Sequence, residues 1–113
     1  MFKSNLVFVR HILDELNFIF ENTRSIEATS FQMDPVLSRA VLRSLEIIGE
    51  ASNKLDPEFQ ARYSNIEWRK ISDTRNRLIH NYMGVDYDIV WSIITDKLPK
   101  LKQQLEFILQ DQD

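Results

Sequence analysis

Two residue types that together can handle a phosphate stand five apart in the run Arg75-Asn76-Arg77-Leu78-Ile79-His80-Asn81-Tyr82. Arginine keeps its charge at all ordinary pH and presents five N–H donors. An unperturbed imidazole exchanges its proton near pH ~6.5. This pattern points to phosphoryl chemistry. Arg75 would hold a phosphate bidentately and stabilise developing negative charge, while His80 takes or gives a proton. Asn76 would lie about 40° from His80 on a helix, placed to orient the ring or donate to the phosphate. Tyr82, seven residues after Arg75, returns to the face of the arginine.

Arg75 is also misplaced for an ordinary surface charge. If Trp68 to Met83 form one helix with Arg75 at zero, Trp68 falls near about 20°, Ile71 near 320°, Leu78 near 300° and Ile79 near 40°. The guanidinium thus emerges from the middle of an apolar stripe. It must be paired, reach a protein interface, or hold an anion. Arg75 and His80 would be separated by about 140° around the axis. That is poor geometry for one compact face of a monomer, and it suits a site assembled where the helix meets a two-fold mate. On spacing alone, the competing reading is a bundle ion pair at Arg75, a surface His80 and a core Tyr82.

The second helix carries Arg39, Arg43, Glu46 and Glu50 on one narrow strip of about 60°. One reading is a solvated edge of ion pairs one turn apart. The other sets Glu46 or Glu50 opposite Arg75, where a carboxylate would pair and orient the guanidinium. No metal site is expected: cysteine is absent, and His11 and His80 have no acidic partners at ligand spacing. Glycine-rich phosphate loops and nucleophilic serine signatures are absent as well. Trp68 and Trp91 sit on apolar stripes and read as core or interface anchors.

Helices must position these residues. Phe2, Leu6, Val9, Leu13, Leu16 and Phe20 recur in steps of four and three, with Ile12 and Ile19 widening the stripe. A polar connection, Ala28-Thr29-Ser30, leads to Asp34-Pro35, an N-cap with proline at the first helical position. That second helix runs through Leu37, Val41, Leu45 and Ile48 towards Leu55, and should be central. Asp56-Pro57 repeats the start signal for a short helix ending around Tyr63. Asn65 can cap the third long helix, which should stop at Gly84. Asp86 caps the last, carrying Val90, Ile94, Leu98, Leu101, Leu105 and Ile108, with a kink expected at Pro99. The prediction is an all-α, antiparallel four-helix bundle, with a short extra helix between the second and third long helices, forming a single domain over residues 1–113.

Only two glycines and three prolines interrupt 113 residues, which favours a few long helices. The lack of cysteine fits a reducing cytoplasm, and no apolar run resembles a signal peptide or membrane span. A soluble intracellular protein is expected. The net charge of −3 argues against a general nucleic-acid coat. Its distribution is uneven: residues 62–80 hold five Lys/Arg against two Asp/Glu, while both flanks are acidic. So small a basic island suits a few phosphate contacts.

With these residues in view, the chain resembles the HEPN superfamily, in particular HepT-like toxins paired with minimal nucleotidyltransferase antitoxins. Three blocks carry the resemblance: Ala40 to Ala51, Trp68-Arg69-Lys70-Ile71, and Arg75 to Tyr82 continuing into Gly84-Val85-Asp86. The last matches the family's Arg-x4-His-x-Tyr motif at each defining position. The resemblance implies a helical bundle that dimerises with its motif helices facing each other, and a metal-independent endoribonuclease needing no cofactor. Arg75 and His80 would be the catalytic pair and Asn76 the polar residue that follows the arginine. Tyr82 would be the tyrosine to which the partner nucleotidyltransferase transfers AMP, silencing the nuclease. Ser72-Asp73-Thr74 is more polar than the family pattern, and Asp73 weakens the local positive field. Two other classes of function compete: a non-catalytic helical module that binds a nucleotide or a nucleotidyltransferase, and a purely structural dimerisation bundle.

Overall fold

A computed structural model describes residues 3–79 and 84–111. Among them the elements are helices: α1 (Lys3–Thr23), α2 (Ala28–Gln32), α3 (Pro35–Asn53), α4 (Pro57–Arg62), α5 (Trp68–Ile79), α6 (Tyr87–Asp96) and α7 (Leu98–Gln110). The result is an all-α bundle. Helix α3 is its centre, packed against both α1 and α5, while α7 closes on α1.

The apolar periodicities become the core. Val9, Ile12, Leu16 and Ile19 of α1 meet Val41, Leu45 and Ile48 of α3, with Leu101, Leu105 and Ile108 of α7 beside them. The buried face of α1 keeps Val9, Ile12, Leu13, Leu16 and Ile19 of the stripe read in the sequence, and its most deeply buried row extends to polar residues. That row runs Asn5, Val9, Ile12, Leu16, Ile19, Thr23, with polar residues at both ends, while Leu6 and Phe20 are half-buried. Each polar end is satisfied. Asn5 Nδ2 donates to Asp56 Oδ2 at 3.1 Å and Asn5 Oδ1 accepts from Asp56 N at 3.0 Å, while Thr23 Oγ1 donates to the Ile19 carbonyl.

The start signals behave as capping chemistry predicts at Asp34 and Asp86. The Asp34 side chain accepts from Val36 N and Leu37 N, and that of Asp86 from Asp88 N and Ile89 N. Asp56 stands at the N-cap of α4 without a side-chain cap bond, because its carboxylate is engaged by Asn5. The short extra helix lies between α3 and α5 as expected.

Three local expectations are corrected. The polar connection at Ala28-Thr29-Ser30 is helical, since Phe31 is fully buried and draws α2 onto α6, its ring 5.3 Å from that of Trp91 and 6.0 Å from that of Tyr87. Helix α5 begins at Trp68, three residues beyond the expected cap Asn65, whose carbonyl accepts from Gln104 Nε2. The last helix breaks at Lys97 rather than only kinking. Pro99 then falls in the first turn of α7, where its missing N–H leaves no intrahelical bond unmade. Gly84 has φ +112°, a conformation that side-chain-bearing residues rarely adopt. No described helix is long and apolar enough to cross a membrane.

Candidate functional site

Helix α5 is held by Trp68 at its first turn. The indole is buried, and Nε1 donates to the carbonyls of Gln60 and Tyr63, both at 3.2 Å. Ile71 and Leu78 then pack against the core from the α3 side. Arg75 sits between them, so the charge does face the bundle.

Gly49 of α3 makes this possible. A Cβ built on Gly49 would overlap Arg75 Cβ and lie 2.5 Å from Arg75 Cγ. The arginine stem therefore lies directly on the backbone of α3. Glycine inside a helix costs about 1 kcal/mol relative to alanine, and a lone helical glycine is a signal of close backbone approach. Gly49 carries that signal in the sequence, though not the identity of the residue that approaches it.

At the head of the side chain, Arg75 Nη2 lies 3.6 Å from Glu50 Oε1, and Nη1 donates to Asn76 Oδ1 at 3.1 Å. The Glu50 distance is that of an ion pair without a hydrogen bond. Arg43 Nη1 draws on the same carboxylate oxygen from 3.7 Å and on Glu46 Oε2 from 3.3 Å. Glu46 thus belongs to the edge of ion pairs along α3, and Glu50 is shared between that edge and Arg75. Both sequence readings of the acidic strip describe part of this arrangement. Arg75 Nε is buried and has no hydrogen-bond partner among the described residues. Of the five guanidinium donors, one is engaged in a hydrogen bond within the described residues.

The basic island divides into committed and uncommitted charges. Arg62 pairs with Asp111 at 3.6 Å and Lys70 with Glu67 at 2.7 Å. The second contact holds the Glu67 carboxyl below its ordinary pKa, first through the hydrogen bond and then through the lysine charge, and raises Lys70 above its own. Arg69 and Arg77 form no ion pair among the described residues.

Two depressions flank α5. A groove of about 800 Å³ runs between α5 and the α6–α7 arm, with Leu45 and Ile48 in its lining and Lys70, Arg77, Lys97 and Lys100 among its charged residues. On the other flank a pocket of about 330 Å³ is lined by Asn53, Gln60, Trp68, Arg69, Ser72, Asp73 and Asn76. Ser72 Oγ donates to Asn53 Oδ1 there. Sequence reasoning passed over this second pocket because Asn53 and Gln60 come from other helices.

The structure therefore brings Arg75, Asn76 and Glu50 together and leaves Glu46 one turn away. His80 and Tyr82 lie outside the described residues. His11 is exposed on α1, its ring edge-on to Phe8 at 6.4 Å. No group of three His, Cys, Asp or Glu side chains among the described residues is placed to hold a metal ion.

Comparison with known proteins adds what geometry lacks. Residues 12–108 match the family model described as Ribonuclease HepT-like. The chain is 44% identical over 108 residues to a provisionally named RNase of Caldanaerobacter subterraneus subsp. tengcongensis, covering 96% of each chain. It is 37% identical over 101 residues to another protein so named from Methanocaldococcus jannaschii, covering 89% of this chain and 93% of that one. A protein of Thermococcus cleftensis named as a probable ribonuclease HepT is 36% identical over 106 residues, covering 94% of this chain and 96% of the other. No solved structure matches the chain.

Proposed function

The chain belongs to the HepT-like ribonuclease family, of the HEPN type, and from that premise we propose that it is a metal-independent endoribonuclease toxin of a toxin–antitoxin pair. Arg75 and His80 are its catalytic pair, in a site completed at a homodimer interface. A partner nucleotidyltransferase silences it by adenylylating Tyr82.

The observation that carries this reading is the state of Arg75. Its stem is seated on α3, yet among the described residues its head is loosely satisfied: one hydrogen bond to Asn76, a distant Glu50, and a buried Nε without a partner. A structural arginine of a bundle would spend its donors on carboxylates and carbonyls. Here most donors remain for an incoming anion, and Glu50, shared with Arg43, acts as a counterion that a phosphate can displace.

In the proposed reaction the RNA 2′-oxygen forms a bond to the adjacent phosphorus as its proton passes to the His80 imidazole. The bond from phosphorus to the 5′-oxygen breaks, and that oxygen takes a proton from water. A cyclic 2′,3′-phosphate and a 5′-hydroxyl result. Arg75 binds the non-bridging oxygens, where negative charge grows in the transition state. If the helix continued through the motif, the five-residue spacing would set Arg75 and His80 on adjoining faces, about 140° apart. Two such helices across a two-fold axis would offer RNA a composite cleft.

The test is RNA cleavage by the wild type and His80→Ala in EDTA. Cleavage by the wild type that His80→Ala loses is the expected result, and equal cleavage by both defeats the catalytic assignment. For the silencing step, intact mass after incubation with the partner nucleotidyltransferase and ATP should show an AMP adduct that Tyr82→Phe lacks.

A further inference from the structure

The pocket on the Asn76 flank of α5 holds two charged side chains that the proposed chemistry does not use. Arg69 and Asp73 lie one turn apart, at i and i+4, where Cβ atoms are about 5–6 Å from each other. Oppositely charged neighbours at this spacing commonly pair. These two do not, and neither has an ion-pair partner elsewhere among the described residues. Both line the depression of about 330 Å³, together with Asn53, Gln60 and Asn76, and Asp73, on the crest of α5, also borders the larger groove on the other flank.

The uncharged groups around them are half spent. Gln60 Nε2 donates to the Ser52 carbonyl at 2.9 Å, leaving its Oε1 as an acceptor. Asn53 Oδ1 accepts from Ser72, leaving its Nδ2 as a donor. Asn76 Oδ1 accepts from Arg75 Nη1, which ties the pocket directly to the phosphate-holding side chain. The depression is open to solvent rather than enclosed, so a ligand would lie against it with one side uncovered. Trp68 contributes a wall rather than a stacking platform, since its ring is buried and its N–H is committed.

We propose that this pocket binds a guanine base of the RNA, with Asp73 accepting from N1–H and N2–H and Arg69 donating to O6 and N7. The proposal rests on the ribonuclease reading, since it places the base beside the phosphate held at Arg75. A carboxylate and a guanidinium side by side match guanine's edges, where donors and acceptors are adjacent. Adenine would set the lone pair of its N1 against the Asp73 carboxylate and offer Arg69 an amine in place of O6. Asp73 then ceases to be a charge working against RNA. Its repulsion of phosphate is the cost of selecting a base.

Short single-stranded 2′-O-methyl RNA oligomers, which lack the attacking hydroxyl, test this by fluorescence anisotropy. They carry guanosine, adenosine, cytidine or uridine at one varied position, with the flanking sequence held constant. The wild type should bind the guanosine oligomer about tenfold or more tightly than the adenosine one, as expected for a good bidentate contact. Asp73→Asn and Arg69→Gln should each bring that ratio close to one. Both side chains are exposed, so neither change threatens the core, and circular dichroism checks the fold. Equal affinity for all four bases, a preference for another base, or a guanosine preference undiminished in Asp73→Asn overturns the proposal. Because these oligomers cannot be cut, the outcome is independent of the cleavage test. A wild type that selects guanosine yet fails to cleave RNA sinks the ribonuclease reading and not the pocket.

Discussion

Gly49 and Arg75 occupy what would otherwise be the same space: the stem of the arginine lies where a Cβ on position 49 would project. Two effects of Gly49→Ala oppose each other. Helix propensity favours alanine by about 1 kcal/mol, whereas forcing a methyl into a filled contact costs typically about 1–3 kcal/mol. Overlap with Cβ and Cγ cannot be relieved by swinging the flexible end of the side chain, because these atoms are fixed near the α5 backbone. The clash should win. We expect a net loss of up to about 2 kcal/mol in urea unfolding, with RNA cleavage reduced more than tenfold as α5 and Arg75 are pushed from α3. An alanine variant as stable and active as the wild type would show that the two helices need not approach so closely.

Glu50 and Glu46 are a matched comparison, because one approaches Arg75 and the other does not. Glu50 and Arg75 side chains are 41% and 26% exposed, so solvent screening keeps their pairing weak. Glu50→Gln and Glu46→Gln should each cost less than about 1 kcal/mol of stability. Cleavage should separate the two more clearly. Loss of the Glu50 charge leaves Arg75 without its counterion, changing the KM for RNA several-fold, while Glu46→Gln leaves it within about twofold. Indistinguishable kinetics for the two variants would remove Glu50 from any part in placing the guanidinium.

These residues also show what can be read from the chain. Helices α1 and α3 were legible because their apolar rows are long, and the caps at Asp34 and Asp86 because an aspartate there satisfies orphan backbone donors, whereas α6 and α7 share one apolar periodicity that hides the break at Lys97. Arg75 was legible as an anomaly, since a fixed charge in an apolar stripe needs an explanation. Its seat was not, since Gly49 lies 26 positions earlier and helical pairing is not written in local periodicity. Asn5 was hidden for a related reason: a polar side chain on a core row breaks the pattern, and its partner Asp56 is 51 residues away. Helix α2 was hidden because its one anchor, Phe31, sits at the end of a polar run.

The Asn5–Asp56 contact should be worth measuring as a fold-holding bond. Asn5 is 1% exposed and makes two hydrogen bonds to Asp56, one to its carboxylate and one from its backbone N–H. Asn5→Ala would leave both groups of Asp56 without that partner at the junction of α1 and α4. Asp56 itself is exposed, so water recovers part of the loss. A destabilisation of about 1–2 kcal/mol in urea unfolding is expected. A change within about 0.5 kcal/mol, the usual range of surface substitutions, would mean that water replaces both bonds.

The exposed Glu67–Lys70 pair at the start of α5 gives a pH dependence whose sign follows from the shifts. The Glu67 pKa is lowered in the folded protein by the hydrogen bond from Lys70 and then by the lysine charge. Its contribution is therefore present above the unfolded carboxylate pKa and is lost as pH falls through the folded value. Lys70, raised by the same contact, contributes below the unfolded lysine pKa and loses that contribution as pH rises through the folded one. Both effects are full at neutral pH. Glu67→Gln should flatten the acid limb of melting temperature against pH slightly, between about pH 5 and pH 3, and high salt should erase the difference. An acid limb unchanged by the substitution at low salt would show that the pair adds nothing to stability.

Asn76 offers the sharpest test of how the Arg75 head is used, because its Oδ1 is the hydrogen-bond acceptor for Nη1 among the described residues. Asn76→Ala removes that acceptor and frees the guanidinium to turn. Asn76→Asp keeps an acceptor of the same shape and adds a negative charge. If Asn76 served only to hold α5 together, the aspartate, which can pair with Arg75, would be the milder change. If Arg75 meets a phosphate, the aspartate should be the harsher one: it competes with the anion for the same cation and repels it. We expect Asn76→Ala to lose about tenfold in kcat/KM and Asn76→Asp about a hundredfold, with the deficit of the aspartate variant falling as ionic strength rises. Unfolding free energies for the two variants should follow the opposite order. The reverse ranking in cleavage would mean that the phosphate is bound elsewhere and that the Arg75–Asn76 contact is structural.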